Sequence, residues 1–176
     1  MNSLDPSAVI GLWDELPSDD PYLEPPPSEA LLLSIEEQLG YVLPSAYKEL
    51  ARLRNGGILR RNAHASPRPT TWAADHVAVT GIFAVGRRAR FSLCGELGQA
   101  LWLDEWGYPR LGVYFADTPS AGHDMLALDY RQCGRVGEPA VVHIDQEMGY
   151  VITPIAPSFD AFIAGLVVED DASPLD

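Results

Sequence analysis

An Asp-Thr-Pro-Ser-Ala-Gly-His-Asp run at residues 117–124 is followed by Asp129 and then by His143-Ile144-Asp145-Gln146-Glu147. Imidazole nitrogens and carboxylate oxygens at His123, Asp124, Asp129, His143, Asp145 and Glu147 are ligand types that zinc, manganese or iron accepts. A metal-dependent hydrolase built on His123, Asp124, His143, Asp145 and Glu147 is therefore one function to test. The spacing gives it little support. On a strand His143 and Asp145 share a face, Glu147 falls beyond a turn, and nothing forces His123 toward them. No HExxH or similar motif fixes two ligands at helical spacing. The more economical reading is structural: Asp117, Thr118, Pro119, Ser120 and Gly122 are turn formers, with Asp124 accepting hydrogen bonds at the turn and His123 bracing it.

Other chemistries fare worse. Ser120 is not in a GxSxG elbow, and neither Cys94 nor Cys133 stands at a strand-to-helix turn beside a base. The two cysteines are far apart without a CxxC pattern, so they read as small core residues. The glycines form no phosphate loop, and Lys48 is the only lysine. Arg60-Arg61 and Arg87-Arg88-Ala89-Arg90 read as solvated loop arginines more readily than as a carboxylate or phosphate grip. Trp72, Trp102, Trp106 and Tyr108 are candidates for an aromatic platform, with Trp102 assigned to the core.

The elements that must position these residues follow from periodicity. Residues 1–27 carry six prolines among Asp14, Glu15, Asp19, Asp20 and Glu24, which predicts an irregular acidic arm lying along the body. Ser28 offers an N-cap, Leu31, Leu32, Ile35 and Leu39 form a helical stripe, and Gly40 ends it. A second helix opens at Pro44 or Ser45, runs through Tyr47, Leu50 and Leu53, and stops at Asn55-Gly56-Gly57. Beyond Ile58 the pattern changes to strands near 77–85, 111–116, 124–130, 140–145 and 150–155. A short helix is predicted over Glu96–Trp106. Ser158 caps a last helix whose apolar face is Phe159, Phe162, Ile163, Leu166 and Val167, and the acidic tail 169–176 is expected to fray. Helices, then consecutive strands, then a helix predict an α+β fold with a curved, mostly antiparallel sheet, two helices before it and one after.

Composition narrows the function. The chain has 176 residues, with 12 basic against 25 acidic side chains and a net charge of −13. That charge opposes binding to nucleic acid or to an anionic membrane; it reads first as solubility, and its sharper reading is a surface that attracts a basic protein. No run of about 18 apolar residues is present. The N-terminus lacks a basic segment followed by an apolar block, so the cytoplasm is the expected address. By area scaling the folded chain should expose roughly 8,400 Å², which needs neither metal nor disulfide staples.

The segment Ile35-Glu36-Glu37-Gln38-Leu39-Gly40-Tyr41-Val42-Leu43-Pro44-Ser45-Ala46-Tyr47, followed by Asn55-Gly56-Gly57, resembles the opening of the SUKH superfamily. That superfamily holds bacterial toxin-immunity proteins and fungal Smi/Knr-type cell-wall regulators. Tyr114-Phe115-Ala116-Asp117 with Gly122-His123-Asp124, and Ala156-Pro157-Ser158-Phe159, agree with the later parts of its pattern. The likeness spans about residues 28–168 and leaves the arm outside, although the 118–124 stretch is longer than the usual turn. It implies a non-enzymatic protein-binding domain without a cofactor, an immunity protein for a cognate toxin such as a basic nuclease. A regulatory scaffold without a toxin is the alternative. Asp104, Glu105, Trp106, Asp117, Asp124 and Glu147 are the contact candidates.

Overall fold

A computed structural model describes residues 2–172, with side chains through Asp170. The element order is α1 (Glu29–Leu39), α2 (Ser45–Leu53), β1 (Gly57–Ile58), β2 (Ala63–Ala65), β3 (His76–Ala78), β4 (Gly81–Ile82), β5 (Gly112–Asp117), β6 (Asp124–Asp129), β7 (Ala140–Asp145), β8 (Val151–Ala156), α3 (Phe159–Gly165) and α4 (Glu169–Ala172). Six strands form one sheet in the order β1-β4-β5-β6-β7-β8, and every pairing in it is antiparallel. β2 and β3 form a separate hairpin. The architecture is α+β, and the accessible surface of 8481 Å² agrees with the area scaling.

The helix signals act as read. Ser28 Oγ accepts from the Leu31 amide at 3.1 Å, and Gly40 closes α1 in the left-handed region at φ +78. Ser158 caps α3 through the Ala161 amide. α2 and α3 cover one face of the sheet, where the Phe115 ring meets Tyr47, Phe159 and Phe162. A bulge between Tyr114 and Ala116 lets β5 bury consecutive aromatics. Tyr114 turns to the other layer, against Tyr108 at 5.2 Å.

Four expectations are corrected. The 77–85 stretch is two strands in different sheets, because the chain leaves the β2–β3 hairpin at Val79-Thr80 before joining β1 and β5. The predicted 96–106 helix shortens to 99–105 after turns at 96–98, and its Leu101–Glu105 part is π-helical. Gln99 spends its side chain on the backbone of Tyr114, which it brackets at 2.8 and 2.5 Å. Leu53 is 67 % exposed and lies off the core face of α2, and Val167 leaves α3 to bridge Ala63. In the acidic tail Glu169–Ala172 forms a helical turn, and residues 173–176 lie outside the described residues.

Residues 2–27 are packed on the body. Leu4, Ala8, Leu12 and Tyr22 are buried, Trp13 bridges Leu59 and Glu24 bridges Asn55. Asn55 fastens the arm. Its side-chain amide donates to the carbonyls of Pro25 and Val85 at 3.0 Å each, and its Oδ1 accepts from the Val85 amide at 2.7 Å.

Candidate functional site

The β5–β6 connection is held from inside. Thr118 Oγ1 donates to the Asp124 carboxylate, Ser120 Oγ accepts from the Asp124 amide at 3.0 Å, and His143 Nε2 lies 2.6 Å from Asp124 Oδ2. The register places Asp124 opposite Asp145 and Leu126 opposite His143, so Asp124, His143 and Asp145 share one face. All three are buried. Burial pushes the Asp124 carboxyl up, but its hydrogen bonds with His143, Ser120 and Thr118 outweigh that and hold it below the ordinary carboxylate range. Asp145 Oδ2 accepts from the Thr71 amide and hydroxyl, at 3.2 and 3.0 Å, which fastens the β2–β3 loop to the sheet.

The five proposed metal ligands fall into two groups. Asp124, His143 and Asp145 are inside, whereas His123 and Glu147 are exposed and pair with each other at 2.7 Å. Among the described residues no three His, Cys, Asp or Glu side chains are placed to hold a metal ion. The geometry therefore gives the hydrolase reading no centre. Asp129 pairs with Arg131 at 2.7 Å. Burial raises the thiol of Cys94 to about 11, and Cys133 is also shifted up, so neither is activated as a nucleophile.

Two of the six contact candidates are corrected. Asp117 and Asp124 are buried, because each is consumed in tying strands together. Asp117 Oδ2 accepts from the Tyr22 hydroxyl at 2.5 Å and Oδ1 from the Gly81 amide at 3.2 Å. Burial outweighs these bonds and pushes its carboxyl up to about 6.

The other four gather at one corner. The π-helical turn carries the exposed Asp104 and Glu105 and ends at the half-buried Trp106. The Trp106 indole lies between Trp102 at 5.5 Å and His123 at 5.6 Å, and His123 brings Glu147 to it. Tyr150 donates its hydroxyl to the Trp106 carbonyl. Asp104 is answered by Arg110 at 2.5 Å, while no ion pair engages Glu105 among the described residues. The loops beneath hold two non-glycine residues at positive φ, Ala121 at 58° and Tyr150 at 62°. Gly122, at φ +99, lies under the tryptophans: a Cβ there would come within 2.6 Å of Trp102.

The four-ring platform does not assemble. Trp102 and Tyr108 are buried, and Trp72 stands on the β2–β3 loop with its indole N–H donating to Glu169 at 2.8 Å. The arginine knots act as staples: Arg61 reaches the carbonyls of Ala8 and Leu166, and Arg87 reaches Gln38 and Ser34. Sequence reasoning missed Tyr22 and Asn55 as fasteners of the arm, and Val136 as an exposed apolar residue. The one available signal for Val136 is a lone branched residue between Gly134 and Gly137 in a polar turn.

The fold is an α+β domain that carries an acidic and aromatic corner at Trp106. The SMI1/KNR4 family (SUKH-1) model matches residues 26–165, and the chain belongs to that family. It is thus a SUKH-type domain, of a superfamily that includes immunity proteins. No curated protein matches the chain. No helix among the described residues is long and apolar enough to cross a membrane.

Proposed function

We propose that this chain is a cytoplasmic immunity protein that neutralises a cognate toxin by binding it stoichiometrically, without catalysis. The observation that carries the reading is the corner at Trp106, an aromatic ring braced by His123 and Trp102 and edged by Asp104, Glu105 and Glu147. A rigid, half-exposed indole with a charged rim is the usual form of an interface anchor. The net charge of −13 favours a basic partner, steers its approach and repels nucleic acid, so a nuclease whose groove this surface covers fits best. Membership of a generally non-enzymatic family supports occupation over turnover.

The test is co-expression with the toxin encoded beside its gene, paired with a binding assay on the purified chains. Protection from toxicity and a 1:1 complex are expected. Trp106→Ala should weaken the complex roughly 10- to 100-fold, a hot-spot loss of about 1–3 kcal/mol. An unaltered affinity in that variant removes the corner from the interface, and absence of protection removes the immunity reading.

A further inference from the structure

A cleft of about 430 Å³ opens where the C-terminal end of α1 meets the segment 94–104 and the start of β5. That volume lies within the range of about 300–1,000 Å³ found for small-molecule sites, which combine apolar walls with a few polar groups. Here the apolar wall is Leu39, Tyr41 and Leu103, all half-buried. The polar groups decide what fits. Arg110, Arg135 and Asp104 are the charged side chains in the lining, and Gln38 and Cys94 are neutral ones. Burial raises the Cys94 thiol to about 11, so it stays protonated and adds no negative charge. Gln99 also lines the cleft, but both ends of its amide are taken by the backbone of Tyr114.

Two guanidiniums stand there against one carboxylate, so the lining is net positive in a chain whose net charge is −13. Asp104 is engaged by Arg110 at 2.5 Å. Arg135 is left uncompensated, in no ion pair among the described residues. It is nevertheless fixed: Nη1 donates to the Gly40 carbonyl at 3.3 Å, the guanidinium lies 5.4 Å over the Tyr41 ring, and its own carbonyl accepts from the Val42 amide at 2.9 Å. A carbonyl and a ring hold a guanidinium in place without neutralising it, and leave its other N–H groups to a ligand. Gln38 adds donors beside it. Its Oε1 accepts from Arg87 Nε at 2.7 Å, so the amide nitrogen is the end left over, and Arg87 is a further cation in no ion pair among the described residues. Donors outnumber acceptors, and the local sign opposes that of the molecule; an anion answers both. The single excess positive charge of the lining balances one negative charge, while the field of the whole chain repels a dianion twice as strongly as a monoanion. A planar carboxylate, which accepts two parallel hydrogen bonds from a guanidinium, meets that description.

We propose that this cleft binds a small organic monocarboxylate, with its carboxylate on Arg135 and Gln38 and its apolar body against Leu39 and Leu103. The site goes beyond the toxin-binding reading and does not depend on it. The probe is phenylacetate, titrated into the nitrogen-labelled full chain and followed by NMR at the Arg135 and Arg110 Nε–H and Gln38 amide signals. Phenylacetamide, of the same shape without the charge, and phenyl phosphate as a dianion are the comparison ligands. Saturable shifts at Arg135 and Gln38 are expected with phenylacetate, with binding about tenfold or more weaker for phenylacetamide and weaker also for phenyl phosphate. Arg135→Gln should weaken phenylacetate about tenfold or more. Gln38→Glu, an exposed change on α1 beside Arg87, should do the same by bringing a carboxylate to the site, and it keeps the test decisive if the first variant loosens the loop. Equal binding of phenylacetamide, tighter binding of phenyl phosphate, unchanged affinity in a folded variant, shifts centred on arginines outside the cleft, or no saturable shift would each overturn the inference. The toxin complex is tested separately, so none of these results bears on the proposed function.

Discussion

The carboxylates of Asp117 and Asp124 were alike as sequence and are opposite as chemistry. Asp124 gathers enough hydrogen bonds to stay below the ordinary range, so the stability it confers is present above the unfolded value and is lost as pH falls through the folded one. Asp117 is raised from 3.8 to about 6, so its folded form holds a proton that the unfolded chain has released. Its contribution is complete below the unfolded value and disappears as pH rises through about 6. Wild-type stability to urea should therefore lose roughly 2 kcal/mol to this one group between pH 4 and pH 7. Asp117→Asn, which cannot ionise, should remove that part of the slope, and an unaltered slope would show that the group does not titrate there. At Gly122 a methyl meets the Trp102 ring in a positive-φ backbone. Gly122→Ala should cost about 1–3 kcal/mol in thermal unfolding and shift tryptophan emission.

Among the elements, helices with caps were the most legible. Ser28, Gly40 and Ser158 act within one turn of themselves, and α1 and α3 begin where those residues allow. Four strands, β5 to β8, also lie where β-rich runs between Gly and Pro put them, because each is long enough for its own composition to register. The two-residue strands β1 and β4 carry no pattern of their own and exist through pairing partners distant in the chain. The helix expected over 96–106 is shorter than its spacing suggested, since turns occupy 96–98 and only 99–105 is helical, with the Gln99 side chain anchored on β5. The arm depends on Asn55 in the same way. Asn55→Ala leaves the Pro25 and Val85 carbonyls and the Val85 amide without their partner. It should cost about 3 kcal/mol in chemical denaturation, with faster hydrogen exchange at residues 22–24; unchanged exchange there would mean the arm is held by Tyr22 and Trp13 alone.

At the scale of the whole molecule, charge governs encounter and shape governs where contact is made. Association with a basic partner should slow as salt rises from 0.05 to 0.5 M while dissociation changes less, because steering acts beyond a Debye length of about 10 Å and the buried anchor does not. Stopped-flow rates at several salt concentrations would check this, and a salt-independent association rate would count against electrostatic steering. The net charge, the capped helices, the order of long strands and the family resemblance were all present in the sequence, because each is a sum or a short-range pattern. Which acids face water was decided only by tertiary structure. Asp117 and Asp124 are drawn inward by Tyr22, Thr118 and His143, while Glu105 and Glu147 stay outside beside Trp106. Burial and hydrogen bonding of a side chain are set by groups far along the chain, and no local spacing encodes them.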